Sequence, residues 1–351
     1  MKPKRAISPD LNRTVLILVV AALPSLSSAE NRWMPKADMP IPRVWFSSNC
    51  VNGKIYVIGG RTSPFRGTTS RVDEYDPATD TWSRRADMPT ARYMLTSSVV
   101  DDKIYAMGGW PDGPAIPTVE VFDPATNTWT RRADVPTPIT GHRSGVINGK
   151  IYVIGPSQLY IYDPGTDSWS MGADRPEVRS EYCVAVVGGQ LYSLAGGTGG
   201  GALSTVDAYD PATDTWTRKT DLPGVTKSAA SAVVDGSIYV MGGGYRPDGY
   251  LDLADVFVYD PATDTSTNGP PISIARRALS ACAVDGTIYV MGGFQALGGN
   301  DPVFTTVEAF VPEPLRKPAP SRGATDVSHR SILGWEPGPF ARQYDVYLSV
   351  Y

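Results

Sequence analysis

A chain of 351 residues carrying 35 Gly, 31 Pro, 18 Tyr and 8 Trp, with only 19% charged residues, suits many short strands broken by tight turns and excludes a fold of long amphipathic helices. Its 32 basic and 36 acidic residues leave a net charge of −4. Such a balance supplies no field to gather phosphate backbones or anionic lipid, which excludes nucleic acid as a partner class.

The chain opens with Lys2, Lys4 and Arg5 ahead of an apolar run over 15–23, followed by Pro24 and the small residues Ser27, Ser28 and Ala29. This pattern predicts a signal peptide over 1–29, cleaved after Ala29. The run falls short of the roughly 18–20 residues a membrane span needs, so no membrane insertion is expected after cleavage. The mature protein is therefore expected to be exported: periplasmic, at the cell surface or extracellular. Three cysteines, Cys50, Cys183 and Cys282, leave at least one thiol free, and the fold is expected to be held by its core.

From residue 53 onward one phrase recurs: GKIYVIGG at 53–60, DKIYAMGG at 102–109, GKIYVIG at 149–155, GQLYSLAGG at 189–197, GSIYVMGG at 236–243 and GTIYVMGG at 286–293. Its I-Y-V core is a β-branched and aromatic run for a buried strand, ended by glycines where side chains do not fit or φ turns positive. A second phrase follows the first five copies, as in VDEYDPATDTW from Val72 and VEVFDPATNTW from Val119. It reads as a strand, an Asp-Pro turn and a further strand opened by Thr-Trp. With one more strand ahead of each I-Y-V run, every repeat supplies four antiparallel strands, the content of a propeller blade.

The glycines that end successive runs are 49, 47, 41, 46 and 50 residues apart, a period near 50 rather than that of WD40 blades. On these six two-part repeats the chain resembles the kelch family over 31–312. The resemblance implies an all-β six-bladed propeller occupying 30–312, with four antiparallel strands per blade. The sixth repeat, VEAFVPEP from Val307, stops before its tryptophan. Asn31 to Pro40 parallels Asp80 to Pro89, so Trp33 is expected to complete the last blade and remove its free edge. Residues 313–325 read as a Pro-rich linker. Residues 326–351 resemble the opening strands of a fibronectin-type or immunoglobulin-like module, too short for a whole sandwich and read as a truncated one, with packing of Trp335, Tyr344 and Tyr347 on the propeller as the other reading.

The long loops 61–70, 110–117, 198–204, 244–254 and 294–304 share one face of such a propeller, the face where binding is expected. Arg43, Arg92, Arg179 and Arg276 each stand twelve residues before the first apolar residue of the I-Y-V phrase. Lys227 lies one place off in the fifth repeat, while the third has Ile139 there with His142 and Arg143 further on. The resemblance implies arginines lining the mouth of a central channel, as in kelch propellers that bind acidic peptides. The alternative is that they satisfy carbonyls of neighbouring blades. Glu181, two residues beyond Arg179 and expected on its side of the strand, is the only acid at that offset, a counter-ion or, less simply, a general acid or base.

Only two histidines, His142 and His329, are present, which rules out the two-imidazole copper site of the oxidases resembling galactose oxidase. Widely spaced cysteines do not read as zinc ligands but as buried thiols. No cofactor or metal is expected. The leading expectation is a monomeric, non-enzymatic binding protein for an acidic peptide, protein or glycan through Arg43, Arg92, Arg179, Lys227, Arg276, His142 and Arg143. The alternative is a carbohydrate epimerase similar to the kelch N-acetylneuraminate mutarotases, with Glu181 as the candidate base.

Overall fold

The structure, a computed structural model, describes residues 32–199, 201–245, 251–298 and 301–312. The readings of a leader over 1–29, a linker over 313–325 and a partial module over 326–351 fall outside the described residues. Within them the chain forms six four-stranded antiparallel sheets. Blade one consists of Ser47–Val51, Lys54–Ile58, Val72–Asp76 and Thr81–Arg85, in that order from the channel outward. Blades two to five repeat the plan, with small extra hairpins, Gly197–Thr198 with Gly201–Ala202 and Gly244–Tyr245 with Leu251–Asp252, in the loops of blades four and five.

The second strand of each blade shows why the repeat reads I-Y-V-[IM]. In blade one Ile55 and Val57 sit in the cluster shared with blade six, while Tyr56 and Ile58 sit in the cluster shared with blade two. In blade two Ile104 faces back toward blade one and Tyr105 and Met107 face blade three. The alternation continues round to Ile288 and Val290 against blade five and Tyr289 and Met291 against blade one. A strand buried on both faces needs an unbroken apolar run, because each successive side chain points into a different interface.

The turn phrase joins blades at their outer rim. Trp82, Trp129, Trp169 and Trp216 donate their indole N–H to the carbonyls of Ala37, Ala86, Ala133 and Ala173 in the preceding blade, at 2.8 to 3.0 Å. The Asp before the outer strand, Asn127 in blade two, works beside it: Asp80 Oδ1 accepts from Ala37 N at 2.8 Å and from the Tyr75 hydroxyl at 2.6 Å. Asp167, Asp214 and Asp264 do the same for their blades. These residues hold φ near +50°, which Asp tolerates better than most.

Blade six takes its outer strand from the other end of the chain, as the sequence predicts. Met34–Lys36 pairs with Val307–Phe310 in the register Met34↔Ala309, Pro35↔Glu308 and Lys36↔Val307. Trp33 donates to the Pro270 carbonyl at 3.0 Å and lies 5.1 Å from the Phe310 ring, repeating the indole contact made in the other blades.

Trp33→Ala removes a buried indole that both fills the interface between blades five and six and clasps the closing strand. The expected loss is about 3–5 kcal/mol, read from urea or thermal unfolding. Met171→Ala, at a site 60% exposed, should stay within about 0.5 kcal/mol of the parent.

Candidate functional site at the channel mouth

The first strand of each blade begins at one end of the channel, and the residue two places ahead of it sets the rim. Trp45, Met94, Gly141, Glu181, Ser228 and Ala278 occupy this position in blades one to six. All six have positive φ, between 51° and 65°. Their backbones link blade to blade: Met94 N donates to Trp45 O at 2.8 Å, Gly141 N to Met94 O at 3.1 Å, Ser228 N to Glu181 O at 2.9 Å, Ala278 N to Ser228 O at 2.9 Å and Trp45 N to Ala278 O at 3.1 Å. Five of six links of a ring are thus present, and the open one lies between Gly141 and Glu181.

The arginines twelve residues before the I-Y-V runs are not on this rim, which corrects the expectation that they line the mouth. Arg43, Arg92, Arg179 and Arg276 are at most 1% exposed. Each pairs with an acid on the third strand of its own blade: Arg43 with Asp73, Arg92 with Glu120 at 3.1 Å, Arg179 with Asp207 and Arg276 with Glu308. Other donors of theirs reach carbonyls at the end of the second strand and the start of the third, such as Arg43 to Arg71 O at 2.9 Å and Arg276 to Gly292 O at 3.1 Å. Burial lowers Arg43 and Arg92 to about 10, with Asp73 and Glu120 pulling the other way; both stay charged at neutral pH.

The double glycines belong to the same joint. Gly60 N donates to Arg92 O of the next blade at 2.9 Å, and a Cβ on Gly59 would stand 2.6 Å from that same oxygen. Only glycine lets the neighbouring blade come so close.

Thr226, not Lys227, takes the arginine's place in blade five. Its hydroxyl donates to Gly242 O at 2.9 Å and its carbonyl accepts from Gly196 N at 2.9 Å. Lys227 is therefore one residue further on, where Arg277 stands in blade six, and both line the mouth. Sequence reading missed Arg277; the available signal was the Arg276-Arg277 doublet, in which successive side chains must part. Glu181 also parts from Arg179, because its φ of 57° breaks the alternation of an extended strand.

His142 is corrected as well. It is enclosed, with Nε2 3.0 Å from Met107 O. Burial, and then the Arg143 charge, lower its imidazole to about 3, so it stays neutral and touches no open cavity. Arg143 does reach the channel: it is half-buried, donates to His142 O at 3.0 Å and has no carboxylate partner among the described residues.

The mouth opens into a cleft of about 830 Å³. Trp45, Met94, Phe65 and Phe294 form its apolar side, with Trp45 and Phe294 5.5 Å apart. Glu181, Lys227, Ser228 and Arg277 form its polar side. The Glu181 side chain, 38% exposed, accepts from the Ser228 hydroxyl and lies 3.7 Å from Lys227 Nζ. Below the rim a narrower stretch of about 200 Å³ is lined by Asn49, Thr96, Ser97, Arg143, Ser144 and other small polar residues. Hydroxyls there bond across blades, as Thr96 with Ser144 at 2.9 Å. Among the described residues no cluster of three or more His, Cys, Asp or Glu is placed to hold a metal ion.

Comparison with known proteins leads to the same architecture. The profile described as FKB95, Kelch-repeats domain, matches residues 27–184; that of the KLHDC2/KLHL20/DRC7 Kelch-repeats domain matches 156–293; and the Kelch motif matches 275–313. F-box protein AFR of Arabidopsis thaliana is 34% identical over 71 residues, 20% of this chain, and the match spans 17% of that protein's own length. The solved structure of YjhT superposes with a TM-score of 0.67 at 18% identity, covering 77% of this chain and 95% of that one. At that identity the likeness is one of fold.

Two stability measurements separate buried from channel-facing charges. Arg276→Met strands Glu308 inside blade six and should cost about 3–5 kcal/mol, whereas Arg143→Ala should cost under about 1 kcal/mol. The unfolded chain protonates His142 below about pH 6.5, while the folded chain resists until about 3. This contribution to stability is full above pH 6.5 and is lost as pH falls toward 3, about 2 kcal/mol being gone at pH 5. Urea midpoints at pH 8 and pH 5 should show that extra loss in the parent and not in His142→Gln.

Proposed function

Since the chain carries a kelch-repeat β-propeller domain, we propose that its channel mouth binds an acidic sugar and catalyses interconversion of its anomers. The observation that carries this reading is Glu181: the one carboxylate among the six rim residues, half-exposed, and held beside Lys227 and Ser228. The reading of a purely anion-binding face loses its main support with the burial of Arg43, Arg92, Arg179 and Arg276.

Mutarotation needs only a base and an acid on opposite sides of one carbon–oxygen bond. Glu181 takes the proton of the anomeric hydroxyl, and the Lys227 ammonium donates one to the ring oxygen. The ring bond then breaks, leaving an open-chain carbonyl; bond rotation and the reverse transfers close the other anomer. Trp45 offers an aromatic face to the sugar ring, and Arg143 takes the carboxylate by a charge-assisted contact. An exported location, where free sugar acids meet the protein before uptake, rests on the leader-like segment.

A second reading, a docking face for an acidic peptide, draws on Phe65 at 75% exposure and Leu251 and Leu297 at 61% each, all on loops of the same face. The two readings separate cleanly by experiment. Anomer exchange of N-acetylneuraminate, followed by NMR saturation transfer, should be accelerated by the parent and fall about 100-fold in Glu181→Gln. Arg143→Ala should weaken binding of the acidic sugar about tenfold and leave a neutral sugar unaffected. Exchange no faster than in buffer, together with acidic-peptide binding lost in Phe65→Ser and kept in Glu181→Gln, would decide for the peptide.

A further inference from the structure

Cys50 and Cys282 are 232 residues apart in the chain, and their spacing reads as dispersed thiols. All three are free thiols in the structure, yet the fold brings two of them side by side. They stand on Ser47–Val51 and Ser280–Val284, the innermost strands of blades one and six, the two blades between which the ring closes. Two residues nearer the mouth, the hydroxyls of Ser48 and Ser280 meet at 2.7 Å across the same pair of strands. Period-two alternation makes Cys50 and Cys282 the next facing pair. Both are half-buried and rest on one apolar cluster formed by blades six and one. The Cys50 thiol is close enough to that of Cys282 to shift its titration upward. Cys183, by contrast, is buried on blade four, where burial pushes its thiol up to about 11.

We propose that Cys50 and Cys282 are a disulfide site that staples the first blade to the last at the end of the channel away from the mouth. Closure then has two parts, hydrogen bonds through Met34–Lys36 at the outer edge of blade six and a covalent bond between innermost strands. The oxidant is a small-molecule or protein disulfide, RSSR. One cysteine, as thiolate, attacks it to give a mixed disulfide and one RS⁻. The second thiol, once deprotonated, attacks the protein sulfur of that bond and expels the other RS⁻. Two electrons and two protons leave the protein, and RSSR becomes two RSH. Burial, with the neighbouring Cys50 thiol, raises Cys282 well above the usual thiol range, so exchange is slow and a completed bond is long-lived. This inference is independent of the proposed sugar chemistry.

The test uses the folded full chain, equilibrated with oxidised glutathione or with a phosphine reductant, then denatured and alkylated. Mass spectrometry should count one reactive thiol after oxidation, mapped to Cys183, with a cross-linked peptide joining Cys50 and Cys282, and three thiols after reduction. The thermal midpoint should rise by about 5 °C or more on oxidation, and Cys50→Ser and Cys282→Ser should each abolish that response. Three reactive thiols after oxidation, a stable glutathione adduct without closure, or a bridge to Cys183 would overturn the assignment. A bridge that forms without raising the midpoint would overturn its stapling role.

Discussion

The second strand of every blade is buried on both faces, and this constraint shapes the rest of the molecule. Ile55 and Val57 depend on blade six for their environment, Tyr56 and Ile58 on blade two. No blade can satisfy its own apolar surface, so the units are stable only as a closed set. Met34–Lys36 and Trp33 matter out of proportion to their length for this reason: they turn a row of six interdependent sheets into a ring with no first or last member.

Closure also fixes where charge can be used. The arginine twelve residues before four of the I-Y-V runs serves its own blade, neutralised by Asp73, Glu120, Asp207 or Glu308 and bonded to strand-end carbonyls. A buried guanidinium in that setting holds a loop in place and offers nothing to a ligand. The chemistry available to the channel comes from residues one or two places further along, Lys227 and Glu181, while Arg277 beside them is itself buried and paired with Asp252. Positive φ at Glu181 turns its side chain off the line of Arg179.

Blade three departs most from the repeat. It has Ile139 where the arginine would be, encloses His142 as a neutral imidazole, and leaves Arg143 facing the channel. The gap in the ring of rim hydrogen bonds falls at its junction with Glu181 of blade four. Irregularity in the repeat and the candidate chemistry thus coincide on the rim, as expected when a scaffold of equivalent units gives up local regularity at a site of use.

Strand content, blade number and the swap of the N-terminal strand are legible in the sequence, because they follow from local patterns: unbroken apolar runs, Asp-Pro turns, paired glycines and the parallel between the Trp33 and Trp82 segments. Glu181 stands out there too, as the lone acid at a repeated offset. The surroundings of each charged side chain belong to the tertiary structure alone. Whether Arg179 meets solvent or Asp207, whether Lys227 or Thr226 fills the arginine's place, and that Cys50 faces Cys282 all depend on contacts between segments distant in the chain. Side-chain burial and pairing are set by the ring as a whole, and a periodic pattern carries position along a strand without carrying what lies across from it.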